Sequence, residues 1–183
     1  MSQTSKIISA SRRMKYICTA LIWLLPVCCG VFWFFFNEFY KPGSFIPTSM
    51  IPLPVPVHQP LAASIRFAAF LAQLIPLAAM IAGLVRLKEL FHLYEHGEIF
   101  SERTVLCFQR LGRTLITYVI CNMVQTTLLS IILSLPNPPG KRMLTIAIGS
   151  PEFTSLFIGG VILVITSVME EARLIQEDQA LII

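Results

Sequence analysis

A chain of 183 residues that is 55% hydrophobic and only 13% charged, with mean hydropathy +0.73, is neither a disordered segment nor a disulfide scaffold. Its formal net charge of +4 is interleaved with acidic residues in the middle of the chain, which argues against direct nucleic-acid binding. The length leaves no room for a soluble catalytic domain once four long apolar runs are accounted for.

Those runs are free of charge over 22 residues between Lys15 and Glu38, 19 between Arg66 and Arg86, 22 between Arg113 and Pro136, and 17 between Glu152 and Glu170. At about 1.5 Å per helical residue each crosses, or nearly crosses, a hydrocarbon core of about 30 Å. The sequence therefore predicts an all-α membrane protein with spans over about 16–37, 61–85, 114–135 and 153–169. Ten of the fourteen basic residues fall before the first run, between the second and third, or after the fourth. The positive-inside bias then puts both termini in the cytoplasm, with a cytoplasmic hairpin over 86–113 and a tail over 170–183. Residues 38–60 and 136–150 become the outer loops.

The first run follows four basic residues, as a signal peptide would, but it is too long for such a core and no small-x-small cleavage site follows. It reads as an uncleaved helix broken at Pro26. Its far end, Phe32-Trp33-Phe34-Phe35-Phe36, has the composition of an interfacial aromatic belt. Six prolines between Pro42 and Pro60 follow, and the alternation of proline with aliphatics from Ile51 to Val57 predicts a stiff extended connector.

The second span is thin, with Ala69, Ala72, Ala78, Ala79, Ala82 and Gly83 letting neighbours approach, which predicts a central place in the bundle. Arg66 lies near its outer end, where its long stem can carry the charge to the headgroups. Leu84, Leu87, Leu90, Phe91 and Tyr94 continue the apolar stripe beyond the span as far as Gly97, a C-terminal cap. Ser101 then starts the next helix as N-cap, with Glu102 in its first turn and a Phe100–Val105 staple. Thr104 stands where a capping box would have Glu or Gln. Tyr118, Asn122, Gln125 and Leu129 share one face of the third span, so the amides should face protein. Ser150-Pro151-Glu152 starts the fourth helix, whose Ser155 and Gly159 form a small-xxx-small contact. The five cysteines all fall in spans or on the cytoplasmic side and read as small hydrophobes rather than as disulfides or zinc ligands.

Leu90 through Ser101, continuing to Arg110-Leu111-Gly112, resembles the central hairpin of the bacterial membrane proteins grouped as domain-of-unknown-function family 2975. The tail from Met169-Glu170-Glu171-Ala172 to Leu181-Ile182-Ile183 is similar to that family's ending, without its usual threonine. The resemblance implies a four-helix protein of the bacterial inner membrane. It also implies a regulatory partnership, since members are often encoded beside a small helix-turn-helix regulator.

Three functional classes follow. His92-Leu93-Tyr94-Glu95-His96 matches the H-x-x-E-H metal motif formally, with His92, His96 and Glu170 as candidate ligands and Glu95 as base. That motif works inside a large α/β domain which this chain cannot contain, so the competing reading is a polar interfacial turn. A small transporter or accessory subunit is the second class, using Gln73, Asn122, Gln125, Thr126 and Thr127. Yet no acid lies inside any span, and no inverted repeat is visible. The third class is a non-enzymatic regulatory or scaffolding protein that sits in the lipid bilayer and docks a cytosolic protein partner. Its docking candidates are Gly97, Phe100, Ser101, Arg103, Arg110, Glu170, Glu171, Leu181, Ile182 and Ile183. Arg103, Arg110 and Arg113 are expected to pair with Glu170, Glu171, Glu177 or Asp178. No cofactor and no catalytic residue is expected.

Overall fold

The computed structural model describes residues 3–40, 53–55, 57, 60–98, 101–138, 142–146 and 149–180, and among these the only regular elements are helices. They are α1 (Gln3–Phe34), α2 (Phe36–Phe39), α3 (Ala63–Glu95), α4 (Glu102–Ser134) and α5 (Ser150–Ala180). Four of them are long and apolar enough to cross a membrane, so the chain is a multi-pass membrane protein. Every long helix exceeds the run that announced it. α1 begins well before Lys15, and α3 and α4 have 33 residues each, about 50 Å at the helical rise. The apolar part of α3 closes near Val85, and a polar extension carries the helix on to Glu95.

The apolar window of α3 is 28% buried, against 11%, 22% and 11% for those of α1, α4 and α5, in line with its run of small residues. Ala69, Ala72 and Ala79 are buried, while Ala78 and Ala82 face outward. Exposed Trp23, Phe34, Phe67, Ile120, Phe157 and Val164 supply a lipid-facing surface. In a bilayer such exposure is no liability, because lipid tails are as apolar as the side chains and association rests on packing and polar contacts instead.

The helices thread two compact units. The first comprises residues 1–23, 79–119 and 150–183. Its α4–α5 contact is made by two glycines. A β-carbon on Gly112 would stand 2.9 Å from Leu163 Cδ2, and one on Gly159 would stand 3.5 Å from the carbonyl oxygen of Gly112. Gly83 approaches the methyl of Thr114 in the same way, at 3.6 Å. The expected placement of Gly83 and Gly159 at helix contacts holds, and Gly112 joins them.

The second unit comprises residues 24–78 and 120–149. Its core joins Trp33, Phe36, Val55, Leu61, Ala69, Leu129 and Leu133. Trp33 and Phe36 stack at 5.2 Å between ring centroids and are buried, so the aromatic run is only half a belt: Phe34 and Phe35 face out. Trp33 and Phe36, three residues apart, fall on one side and join Leu129 and Leu133 in the core, while the two rings between them turn outward. Val55 lies in this core too, so the proline-bearing connector packs against helices where it is described. Residues 41–52 lie outside the described residues.

Polar contacts close this unit. Asn37 accepts from the backbone N–H of Leu61 at 3.0 Å and donates to its carbonyl at 3.1 Å, so one amide fixes the approach to α3. Gln125 Nε2 donates to Gln73 Oε1 at 2.9 Å, the helix-to-helix amide contact the α4 face implied. Beyond α4 residues 142–146 form no regular element, and the N–H of Thr145 donates to Ser130 Oγ at 3.1 Å.

Candidate functional site

The turn between α3 and α4, in the first unit, is built by two backbone devices. Helix α3 ends in a Schellman arrangement: the N–H of Glu98 donates to the carbonyl of Leu93 at 3.1 Å, and that of Gly97 to Tyr94 at 3.2 Å. Gly97 has φ +80°, the one positive φ among the described residues, which a side chain would disfavour. Helix α4 starts on Ser101, whose carbonyl accepts from Thr104 and Val105 at 3.0 and 3.2 Å. Its hydroxyl lies 3.3 Å from the N–H of Thr104, the geometry of an N-cap.

Thr104 has a role that the capping-box pattern hides. Its hydroxyl donates to the carbonyl of Glu98 at 2.6 Å, and its side chain is fully buried. A Glu at this position would turn back to its own helix. The shorter threonine reaches across the turn instead and locks the last residue of one cap to the first turn of the next helix. Val105 and Cys107, near it in sequence, are buried, as is Leu90 on α3, and the Cys107 thiol donates to the Arg86 carbonyl at 3.1 Å. Buried residues on both helices thus flank the turn.

The amino-terminal part of α1 is fastened to this hairpin. Lys15 Nζ donates to Glu95 Oε2 at 2.6 Å, and Arg12 Nε to Oε1 at 2.8 Å. Hydrogen bonds from Lys15 and then Arg12 hold the Glu95 carboxyl down to about 2, against an ordinary value of 4.5. Glu95 lies at the end of the polar extension of α3, outside the apolar run. The contact joins residues 80 positions apart, and no local pattern announces it.

The His92–Glu95–His96 cluster lies at the same end of α3. The two rings meet edge to face with centroids 4.5 Å apart, and His96 Nδ1 lies 2.8 Å from the carbonyl of His92. Glu95 is an ion-pair acceptor for α1, and Glu170 accepts from Arg173 Nη2 at 2.8 Å. Among the described residues, no three of His, Cys, Asp and Glu converge as a metal site would require.

The docking candidates divide in three. Gly97, Ser101, Arg103 and Arg110 belong to the turn and the flank of α4. Arg103, Arg110 and Arg113 are exposed, lie within one face of the helix, and have no ion-pair partner among the described residues. The expected pairing to Glu170 gives way to Arg173, three residues along the same helix, which reaches it without ordering a distant side chain. Glu171 is exposed on α5. Phe100, Leu181, Ile182 and Ile183 lie outside the described residues, as do the side chains of Glu177 and Asp178.

The family described as protein of unknown function (DUF2975) matches residues 55–183, a stretch that includes the turn, its flanks and the whole of α5. No curated protein and no solved structure matches the chain.

Proposed function

The chain belongs to the DUF2975 family, and on that premise we propose a non-enzymatic regulatory or scaffolding protein of the bacterial inner membrane. Its α3–α4 turn, with the end of α5, docks a cytosolic protein. The observation that carries this reading is the construction of the turn. Two cap motifs, a buried threonine bridge and an ion-pair clamp from α1 hold a polar helical end rigid beyond the apolar runs. Caps end helices generally, but the bridge across the turn and the clamp from a distant segment tie the turn together beyond what each helix end requires. The exposed guanidinium groups of Arg103, Arg110 and Arg113 on one face of α4 give a partner with an acidic surface something to meet. A small helix-turn-helix regulator is the partner class that the family suggests.

The ten-to-four division of basic residues supports cytoplasmic termini and a cytoplasmic turn. A second reading, a small transporter or accessory subunit, rests on the Gln73–Gln125 contact deep in the apolar runs. Each amide there already has the other as its partner, which favours a structural role. Crosslinking and recovery from membranes, with and without residues 180–183, separates the possibilities. Loss of a specific cytosolic partner on deletion, with melting temperature unchanged, supports docking. A lower melting temperature with no partner recovered from the full chain leaves only a structural tail, and substrate flux in liposomes supports the transporter.

A further inference from the structure

A cleft of about 430 Å³ opens in the second unit between α1 and the start of α3, with Gly30, Phe34, Phe67, Phe70 and Arg66 along it. That volume lies in the range of ligand-holding clefts, about 300–1,000 Å³. Its walls are apolar, and Phe34 and Phe67 are exposed at 72% and 62%, so the cleft opens on the lipid-facing surface. Gly30 leaves it deep: a β-carbon there would meet only Phe70, at 4.0 Å.

Arg66 is the one charged residue on this wall. It donates from Nη1 to the carbonyl of Phe34, an acceptor left over at the end of α1. Its Nε is buried and has no hydrogen-bond partner, and among the described residues no carboxylate pairs with the guanidinium. Arginine carries five N–H donors in a planar fork that matches phosphate, and here one of them is committed. Arg66 also lies in the first turn of α3, at the positive end of the helix dipole, though its own N–H and that of Ile65 are taken by the Ala62 carbonyl.

Depth selects the anion. From Ala63 to Val85 the apolar part of α3 is about 34 Å long, against a core of about 30 Å, so its first turn sits at the hydrocarbon boundary. The anion present at that depth, with an apolar chain attached, is a membrane phospholipid. We propose that this cleft binds one anionic phospholipid of the leaflet at the Arg66 end, its phosphodiester on the guanidinium and an acyl chain along Gly30 and Phe70.

The test uses the full chain purified in maltoside micelles, stripped of lipid, then supplied with dioleoyl-phosphatidylglycerol and followed by native mass spectrometry and thermal melting. Wild type is expected to retain one lipid and to melt several degrees higher with it. Arg66→Gln should lower retention at least fivefold, with Arg66→Lys intermediate because it keeps charge without the fork. Gly30→Leu fills the cleft without touching the guanidinium and should lose the lipid while melting like lipid-free wild type. Retention at wild-type level in both Arg66→Gln and Gly30→Leu overturns the proposal. So does an equal melting shift from free glycerol phosphate, which would make the ligand a soluble anion. A lipid-free dimer that buries the cleft overturns it as well, in favour of a second copy.

Discussion

Gly112 and Gly159 face each other across the α4–α5 contact, each placing its carbonyl oxygen within 3.5 Å of where the other's side chain would begin. The two positions are not equivalent. At Gly159 all neighbours of a β-carbon stand at ordinary contact distance, whereas at Gly112 both Leu163 Cδ2 and Cγ lie at 3.0 Å or less.

Gly159→Ala should therefore be tolerated, gaining up to about 1 kcal/mol of helix propensity. Gly112→Ala must move Leu163 and should come out less stable than Gly159→Ala. Leucine at either position overpacks the contact, at about 1–3 kcal/mol. Melting in detergent checks this, with Ala20→Leu on an exposed face of α1 as the control. Equal stability for Leu at 112, 159 and 20 would show that this contact is absent.

At the α3–α4 turn, Gly97→Ala forces a side chain into the left-handed region with no steric clash around it, so its cost should be the backbone's alone, about 1–2 kcal/mol. Thr104→Val keeps the volume but leaves the Glu98 carbonyl without its donor, at about 1–3 kcal/mol. Hydrogen exchange should localise both effects to residues 93–105, and unchanged protection there in Thr104→Val would mean the bridge contributes nothing.

The ion-pair clamp has a defined pH window. Because the Glu95 carboxyl is lowered from 4.5 to about 2, its contribution is complete above about pH 4.5 and disappears as pH falls through about 2. Glu95→Gln should melt lower than wild type by the same margin from pH 5.5 to 8, and the gap should close in acid. High salt should shrink it, since Arg12 is 60% exposed. A gap that changes between pH 6 and 8 would point to a different titrating group.

How far the sequence carried the fold follows from the range of each interaction. Charge-free runs and caps are local, so four helices, the Gly97 stop and the Ser101 start were legible in it. The face shared by Asn122 and Gln125 foretold an amide turned toward protein, though not that Gln73 would be its partner. Contacts between distant segments left no such trace. Lys15 counts only toward the charge bias and Glu95 only toward a metal motif, and the aromatic run around Trp33 gives no sign of which rings turn inward. Thr104 lacks the carboxamide or carboxylate of a capping box, and its bridge to Glu98 depends on a turn geometry that no spacing specifies. Gly112 was visible only as part of a family-like step, because a glycine facing another helix looks the same as one facing lipid.

Docking of a cytosolic protein requires the α3–α4 turn to stand in the cytoplasm. With the five native cysteines replaced, Glu98→Cys should resist a membrane-impermeant maleimide added to intact spheroplasts and react fully once the membrane is opened or inverted. Labelling of position 98 from outside an intact inner membrane would contradict it.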